Sequence, residues 1–505
     1  MLSQLARRRA YVSTPWRLKQ LAAQKISSFS STSFCSTSNQ TQSPMADTET
    51  ELIYQSRNAV RLLTLNRPRK LNALSSGTLE SVHEKLNEFV KSDLANIVIV
   101  KGKEPRAFSA GADVASLAKA AQSEGLEKSL PGNAKFFQTE FVLNHTIATY
   151  PKPYVSILQG VTMGGGVGLS CHGAFRVATE NTLLAMPETK IGYYPDVGAL
   201  FFLSKLNGEL GLYAALTGHR FKGYDSFKFG ISTHYIGEDS LLDLERRLEE
   251  LELGSIDSST SAEYFKLVDW CLEEFSSEPP ADYKPSLSVQ DLDTIDECFK
   301  YDSLEEIINA LQNAEAKNPE FVKNALSILS PENPEDGMSP LSLKVTLKAY
   351  RQAAKLDLQA ALQQDMRLSY NFCNSPEFRE GVIALLVEKR KPNWTFKSLS
   401  DVSNDTVNSM FAPIPEEFTL KFPSEANFTE YPYNFGLPRE KDIMDFVTGE
   451  TSEQDTKATK QDVIEFFKKK YPDGLKQGLT ENVNEVLSRK TSPDPTDASL
   501  LDWNY

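Results

Sequence analysis

The chain has 505 residues, 40% of them hydrophobic, which is enough to bury a large core and suggests two or three structural units. Its formal net charge of −14 argues against a protein that grips nucleic acid sequence-specifically through a basic face. Its five cysteines are widely spaced and odd in number, so they predict neither a disulfide framework nor a cysteine metal site. No apolar run approaches the roughly 20 residues that a membrane-spanning helix needs, so no membrane partner is expected.

The first 47 residues differ in composition from the rest. Basic residues are scattered from Arg7 to Lys25, serines and threonines crowd 27–43, and no acidic residue precedes Asp47. An Arg-rich, Ser-rich and acid-free start with scattered apolar residues is typical of a mitochondrial presequence. We therefore predict a presequence over 1–47 and a location in the mitochondrial matrix. The alternative is a disordered basic tail that carries no address.

Strand-like and helix-like stretches alternate over residues 48–240. A helix is predicted over 75–90, where Leu79, Val82 and Leu86 recur at three- and four-residue spacing. A glycine turn that runs into a helix is predicted over 164–173. The predicted strands, rich in Val, Ile and Leu, are 60–65, 97–100, 154–158 and 175–178. The recurrence of strand, turn and helix predicts an α/β domain.

Helix-favouring sequence dominates from about residue 241. Residues 241–251 and 303–316 are rich in Leu, Glu and Ala, and 341–368 gives one long amphipathic signal. A helical part is therefore predicted over 241–411. Loops such as 114–135 are expected to form the walls of any pocket.

The last part of the chain has a third character. After Trp394 it becomes rich in Pro, Asn and Phe, which is typical of an extended segment lying over a surface. One further helix is predicted over 460–471. We interpret 412–505 as an appended C-terminal extension.

Two loops of small residues, 108–113 and 164–166, allow a ligand to approach backbone N–H groups closely. If the amides of Ala110 and Gly165 point at one spot, they form an oxyanion hole, where losing one donor costs about 3 to 4 kcal/mol of transition-state stabilisation. For either loop alone a tight turn is the better interpretation, and only together do they indicate a site. The Lys-Ser/Thr ending of a phosphate-binding loop and the spacing of a dinucleotide fold are both missing.

Six short runs resemble, in order and spacing over 51–240, the enoyl-CoA hydratase/isomerase (crotonase) superfamily. These runs are 66–68, 71–74, 107–113, 151–155, 160–166 and 186–188. The stretch from Tyr150 to Gly198 is most similar to the superfamily's 3-hydroxyisobutyryl-CoA hydrolase branch, and this likeness continues to about Met410. The resemblance implies a crotonase-like spiral of ββα units with a helical C-terminal part. It also implies a coenzyme A thioester whose carbonyl oxygen lies between the amides of Ala110 and Gly165.

The resemblance implies roles for three carboxylates. Glu188 matches the family's retained catalytic Glu, and its alternative role is that of a turn or N-cap carboxylate after Pro187. Asp196 is carried over as a substrate contact that orients the water or the acyl hydroxyl, and its alternative role is to cap a following helix. Glu140 also aligns with a substrate contact, although a carboxylate on a helix is usually just solvated.

Gly168 decides between reactions. Hydratases of this fold place a second catalytic Glu two residues after the final glycine of Gly164-Gly-Gly, and here that position is Gly168. Adding water across a double bond normally relies on two carboxylates, whereas thioester hydrolysis needs the oxyanion hole and one. The resemblance therefore implies hydrolysis of 3-hydroxyisobutyryl-CoA to 3-hydroxyisobutyrate and free coenzyme A in valine breakdown, with a hydratase or isomerase as the alternative.

Other chemistry-bearing residues receive structural interpretations. His145 and His172 belong to no matched catalytic motif, and Cys171 is interpreted as a buried thiol. No nucleophile elbow and no zinc-binding helix motif is evident. Neither a metal nor a cofactor is expected, because coenzyme A is part of the substrate. Arg67 and Lys70 are candidates for the coenzyme's phosphates, with a solvated surface role as an equal alternative.

The alternative to an enzyme is a structural subunit. Some mitochondrial proteins that resemble this hydrolase are found on the small subunit of the mitochondrial ribosome, and the extension over 412–505 lies outside the catalytic resemblance. The acidic balance indicates contacts with proteins rather than RNA. Relatives of this fold often form trimers, so a homo-oligomer is a further expectation. The helical half of this chain is longer, so the number of subunits is left open.

Overall fold

Two β-sheets form the centre of the fold. The computed structural model describes residues 50–251, 261–330, 337–451, 457–471 and 474–504, and the presequence predicted over 1–47 lies outside them. The strands of the described residues are β1 (Leu52–Arg57), β2 (Val60–Leu65), β3 (Ile97–Gly102), β4 (Ala107–Ser109), β5 (Tyr154–Leu158), β6 (Val161–Met163), β7 (Phe175–Ala178), β8 (Leu183–Ala185), β9 (Phe221–Lys222), β10 (His234–Tyr235), β11 (Thr491–Pro493) and β12 (Leu501–Trp503).

The chain alternates between the two sheets. The larger sheet has the order β1-β2-β3-β5-β7-β10 and is parallel except for the β1–β2 pair, and the smaller has the order β4-β6-β8-β9 with only β9 antiparallel. Consecutive strands form pairs with one member in each sheet, and helical segments follow each pair. The pairs are β3 with β4, β5 with β6, and β7 with β8. This arrangement is a spiral of ββα units, and it confirms the predicted fold class.

Helices surround the sheets and make up most of the second half. They are α1 (Ser76–Val90), α2 (Val114–Glu124), α3 (Leu126–Ala148), α4 (Gly165–Cys171), α5 (Ala199–Leu203), α6 (Leu210–Thr217), α7 (Tyr224–Lys228), α8 (Leu241–Glu249), α9 (Ser261–Glu273), α10 (Val289–Phe299), α11 (Leu304–Ala314), α12 (Pro319–Leu329), α13 (Pro340–Ala353), α14 (Leu358–Cys373), α15 (Pro376–Val382), α16 (Asn404–Ser409), α17 (Glu440–Val447), α18 (Lys460–Lys470) and α19 (Leu479–Lys490). No helix of the described residues is both long and apolar enough to cross a bilayer.

The large sheet is buried on both faces, which explains the continuous apolar runs of its strands. Alternate side chains along the strands point to opposite faces of the sheet. The set on one face packs with α8 and α9, and the set on the other packs into the main core with α1 and α3. The first set includes Val60, Leu62, Ile97, Ile99, Leu244 and Phe265. The second set includes Leu63, Leu65, Val98, Val100, Leu79 and Phe137.

Where local signals predicted an element, its position is close to the observed one. The strands predicted over 60–65, 154–158 and 175–178 have those bounds, and the helix predicted over 75–90 begins at Ser76, where the Ser75 side chain accepts the Thr78 N–H. The long signal over 341–368 is two helices, because Asp357 starts α14 by accepting the Ala360 N–H at 2.8 Å.

The prediction of a loop over 114–135 is wrong. Residues of this stretch form α2 and the first part of α3. Gly125, which has a φ of +88° between the two helices, and Pro131 within α3 weaken the local helical signal. Tertiary packing of α3 against α14 and of α2 against α15 overrides it.

The C-terminal extension has a small core of its own and is also anchored to the body. Apolar residues of α17, α18 and α19 form this core, among them Ile443, Phe446, Val463, Phe467, Val483 and Leu487. The preceding stretch lies over the body, with Phe428 and Tyr431 packed against the main core. The buried Lys476 ammonium donates to Thr233 O at 2.9 Å and pairs with Glu273 at 2.5 Å. The extension is therefore fixed against the sheet domain by burial and by charge.

Candidate active site

The two small-residue loops lie in contact. One follows β4, and the other joins β6 to α4. Gly111 and Gly164 have φ values of +99° and +49°, which glycine adopts without strain. A methyl group built on Gly111 would lie 3.0 Å from Met163 O and 3.3 Å from Gly165 N, so the two backbones approach more closely than side chains would allow.

The structure corrects one member of the predicted oxyanion hole. The Ala110 N–H donates to Leu71 O at 2.9 Å, so this amide is already paired. Further along the same loop, the Ala112 amide lies near Gly165. A methyl group on Gly165 would lie 3.2 Å from Ala112 N. Within the described residues, Ala112 N and Gly165 N donate no hydrogen bond, Gly165 being the first residue of α4. The pair of free amides is therefore Ala112 and Gly165, because the chain turns at Gly111 between the two alanines.

The loop before α1 holds the first of these loops in place. Asn72, at a φ of +54°, donates from Nδ2 to Ala107 O at 2.8 Å and accepts the Arg67 N–H at 2.9 Å. The Ser109 hydroxyl donates to Asn72 O at 2.9 Å. Side-chain hydrogen bonds thus set the path of the backbone that carries Ala112.

The two cations assigned to coenzyme A phosphates differ in availability. The Arg67 side chain is 15% exposed and lies between Glu51, at 3.0 Å, and Asp113, at 3.2 Å. The Lys70 side chain is 55% exposed and pairs with Asp113 at 2.8 Å. Arg67 therefore has a structural role, whereas the Lys70 ammonium remains accessible to an anionic ligand.

Two of the predicted carboxylates lie directly over the glycine loop. Glu188 opens a 3-10 turn, Glu188–Ile191, after β8, and Glu140 lies on α3. A methyl group on Gly164 would lie 2.9 Å from Glu188 Oε1, and one on Gly165 would overlap Glu140 Oε1. The acids and the free amide of Gly165 therefore share one small space.

Burial raises the pKa of all three predicted acids, and repulsion from neighbouring carboxylates adds to the rise for Glu140 and Glu188. For Glu140 the cause is burial first and then the charges of Asp196 and Glu188, and for Glu188 it is burial and then Asp196. Burial raises the pKa of Asp196 to about 7, with a hydrogen bond from Tyr193 acting in the opposite direction. Neighbouring buried carboxyls cannot all ionise easily, so this cluster retains a proton near neutral pH.

The structural alternatives for these acids do not hold. Glu140 is 1% exposed rather than solvated, and neither of its oxygens finds a hydrogen-bond partner among the described residues. The Glu188 side chain makes no cap hydrogen bond, and its Oε2 is buried and equally unpaired within them. Asp196 contributes only its backbone oxygen to the start of α5, accepting the Ala199 N–H at 2.8 Å. Buried polar atoms without partners are rare, which makes this cluster the candidate site for a ligand.

Elements from the helical part fix the turn that carries Glu188. The Thr189 backbone oxygen accepts the Ser339 N–H at 3.1 Å, and the Thr189 hydroxyl donates to Leu216 O at 3.2 Å. Gly192 ends the turn at a φ of +73°, where a methyl group would lie 2.9 Å from the Trp394 ring. The turn that carries Glu188 is thus held by α6, by the start of α13 and by the segment after α15.

The loop after Asp196 is strained and held from two sides. Val197 has a φ of +54°, an outlier for a β-branched residue that costs about 1 to 3 kcal/mol. Asp365 Oδ2 on α14 accepts the Gly198 N–H at 2.7 Å, and His172 Nε2 lies 2.7 Å from Val197 O. Burial lowers the pKa of His172 to about 4, so its imidazole is neutral and donates from Nε2. Its Nδ1 therefore accepts from the Tyr431 hydroxyl at 2.7 Å, and this histidine positions the loop.

The other candidates have structural roles. His145 Nε2 lies 2.9 Å from Ala426 O under the extension, and burial lowers its pKa. Cys171 is buried, as predicted, and burial raises the pKa of its thiol to about 12. The described part of the chain holds no cluster of three or more His, Cys, Asp or Glu side chains suited to a metal ion.

Gly168 has no space for the second acid of a hydratase. A methyl group there would lie 2.7 Å from Val197 Cβ and 2.9 Å from Asn144 Nδ2. Close packing between α3, α4 and the strained loop therefore excludes a glutamate side chain at this position.

Sequence reasoning missed Ala112 and Asp365. Ala112 lies in the same small-residue loop as Ala110. The two alanines differ in that the Ala110 N–H donates to Leu71 O, which leaves the Ala112 N–H as the free amide. Asp365 is buried in α14 with a raised pKa, caused by burial and then by the charge of Asp196, and nothing in its local sequence indicates this neighbour. Asn144 is a further polar residue that no local pattern selects.

Comparisons with known proteins agree with this architecture. A family model described as enoyl-CoA hydratase/isomerase matches residues 60–411. The chain is 37% identical over 367 residues to the mitochondrial 3-hydroxyisobutyryl-CoA hydrolase of Danio rerio, which spans 72% of this chain and 90% of that protein. It is 35% identical over 378 residues to the human protein of the same name, which spans 74% and 92%.

A ribosomal protein and a solved crystal structure are also similar to this chain, and they cover different shares of it. The small ribosomal subunit protein mS47 of Neurospora crassa is 37% identical over 456 residues, which spans 88% of this chain and 86% of that protein. A crystal structure of a carnitinyl-CoA dehydratase from Mycobacterium thermoresistibile is 35% identical, with a TM-score of 0.63, and its whole length matches 75% of this chain.

Proposed function

The chain belongs to the enoyl-CoA hydratase/isomerase family, and on that premise we propose that it hydrolyses 3-hydroxyisobutyryl-CoA to 3-hydroxyisobutyrate and free coenzyme A. The observation that carries this proposal is the buried Glu188 lying over the glycine loop whose Gly165 amide is free. The crowding at Gly168 supports hydrolysis over hydration, because it leaves no space for a second acid at the hydratase position. The hydrolases named above are similar over most of their length.

The proposed reaction uses the backbone first. The thioester oxygen accepts hydrogen bonds from the Ala112 and Gly165 amides, which stabilise the negative charge that develops when the carbonyl carbon is attacked. The Glu188 carboxylate delivers the attack, either by taking a proton from water or by forming an acyl anhydride that water then opens. In both forms the carbon–sulfur bond breaks and the thiolate leaves with a proton from the site. The raised pKa of Glu188 makes its ionised form a better base.

Glu140 and Asp196 have supporting roles in this proposal. Each contributes to the repulsion that keeps one proton in the cluster near neutral pH. Asp196 also lies next to the strained Val197, so the loop geometry sets the position of its carboxyl.

A coenzyme A release assay tests the proposal. The parent protein should release free thiol from 3-hydroxyisobutyryl-CoA, and Glu188→Gln should lower kcat by about 10²- to 10⁴-fold without a lower unfolding temperature. Glu209→Gln is the matched control, because Glu209 pairs with Arg351 at 2.9 Å in another part of the fold. Unchanged turnover in Glu188→Gln would refute the assignment.

We propose a mitochondrial location on the names of the relatives, and the matrix as the compartment. Fusing residues 1–47 to a fluorescent reporter tests the presequence. Reporter that stays outside mitochondria would contradict it.

A second function is a structural role in the mitochondrial small ribosomal subunit. The supporting observation is that the similarity to the Neurospora crassa protein spans 88% of the chain, so it continues past residue 411, where the family match ends. The extension has a core of its own and presents Lys468, Lys469 and Lys470 as exposed cations at the end of α18. The full chain should co-sediment with mitochondrial small subunits on a sucrose gradient. Remaining at the top of the gradient at low salt would count against this role, whatever the hydrolase assay shows.

A further inference from the structure

We propose that Asn144 recognises the hydroxyl group of the acyl chain and so makes the site selective for hydroxyacyl thioesters. This inference rests on the proposed hydrolase function and names a specificity-determining residue for it. Asn144 lies on α3, one helical turn after Glu140, so the two side chains project from the same face of the helix.

The contacts place Asn144 beside the acids. Glu140 Oε1 lies against Gly165 at the start of α4, and Asn144 Nδ2 lies 2.9 Å from the position of a methyl group on Gly168. Gly168 follows Gly165 by three residues, which is about 4.5 Å along a helix axis. The polar face of α3 therefore follows the glycine face of α4 away from the Gly165 amide.

Asn144 is buried without a partner. Its side chain is 0% exposed, and neither Nδ2 nor Oδ1 forms a hydrogen bond with any residue that the structure describes. Leaving such atoms unpaired destabilises the folded protein, so a buried amide without partners requires an explanation. A partner that arrives with the substrate supplies one.

The chemistry of the pair indicates a hydroxyl group. An amide offers both a donor and an acceptor, and a hydroxyl both donates and accepts. In the proposed substrate the hydroxyl is three bonds from the thioester carbon, so it lies a short distance beyond the amides that bind the carbonyl oxygen. Val197, whose Cβ crowds Gly168, is an apolar neighbour on this side of Asn144, so the amide has no competing polar group from that residue's side chain.

Two thioesters that differ only in this hydroxyl test the inference. We expect the parent to hydrolyse 3-hydroxyisobutyryl-CoA with a kcat/KM above that for isobutyryl-CoA. Asn144→Ala should lower the value for the hydroxyacyl thioester about tenfold and leave the other nearly unchanged, because only the former loses a hydrogen bond. Asn144→Leu, which removes the unpaired polar atoms without leaving a large cavity, should lose the same preference without a lower unfolding temperature.

Asn318→Ala is the control, since Asn318 is a buried asparagine whose Nδ2 donates to Asp291 at 2.8 Å. A parallel fall of both substrates in the Asn144 variants would overturn the inference, because the amide would then serve the attacking water or the fold. An unchanged ratio of the two kcat/KM values would overturn it as well. If the parent releases coenzyme A from neither thioester, it is the proposed function that fails.

Discussion

Replacing Asp196 by asparagine should stabilise the protein while lowering its activity. Burial raises the pKa of Asp196 from 3.8 to about 7. At 1.36 kcal/mol for each tenfold change in proton affinity, ionising this carboxyl in the folded protein costs about 4 kcal/mol more than in the unfolded chain. Asparagine carries no charge at any pH, so it avoids this cost. The weaker hydrogen bond that Tyr193 makes to an amide makes 4 kcal/mol an upper limit.

The gain has a defined pH window. Between about pH 4 and pH 7 the folded protein holds the Asp196 proton while the unfolded chain has released it, so the parent loses stability as the pH rises through this range. Above pH 7 both states are ionised and the loss is complete. Asp196→Asn should therefore match the parent near pH 4 and exceed it most at pH 8.

Urea unfolding at pH 5 and pH 8, with coenzyme A release measured on the same samples, checks both halves of this prediction. Asp225→Asn is the control, because Asp225 is a buried carboxyl that accepts the Ser286 N–H at 3.1 Å. This control should lose stability at both pH values. An Asp196→Asn protein that is less stable than the parent at pH 8, or fully active, would refute the reasoning.

Four further predictions concern the same site. Gly168→Glu should destabilise the fold by about 1 to 3 kcal/mol through overpacking against Val197 and should gain no hydration of an enoyl-CoA, as measured by melting and product analysis. Gly165→Ala should lower coenzyme A release because its methyl group would displace Glu140 Oε1 and lie 3.2 Å from Ala112 N, and normal turnover would contradict a substrate site between these groups. Tyr431→Phe leaves His172 Nδ1 unpaired and should lower kcat more than it changes KM, whereas unaltered kinetics would show that the extension does not support the catalytic loop. The parent's kcat/KM should rise with pH through the neutral range as the cluster releases its proton, and a flat profile between pH 5 and pH 8 would contradict the retention of a proton by these carboxyls.

Several features of the site follow from local sequence because they depend only on short-range chemistry. The glycines at 164–166 and the small residues of 108–113 mark backbone that a ligand can approach, and both loops do lie at the site. Glu188 follows β8 directly, so its place relative to the sheet is set within a few residues. The absence of a carboxylate at Gly168 was also readable, and the structure adds the steric reason for it.

The sequence by itself determined four strands of the large sheet, the family and the residues that line the two loops, since hydrophobic period and glycine placement act over a few positions. Only the tertiary structure decided that Ala112 rather than Ala110 has the free amide, because that depends on a hydrogen bond to Leu71 on another loop. It likewise decided that Glu140 is buried and that Asp365 and Tyr431 support the loop that follows Asp196. These groups come from helices and from an extension far along the chain, and packing between distant segments leaves no local pattern.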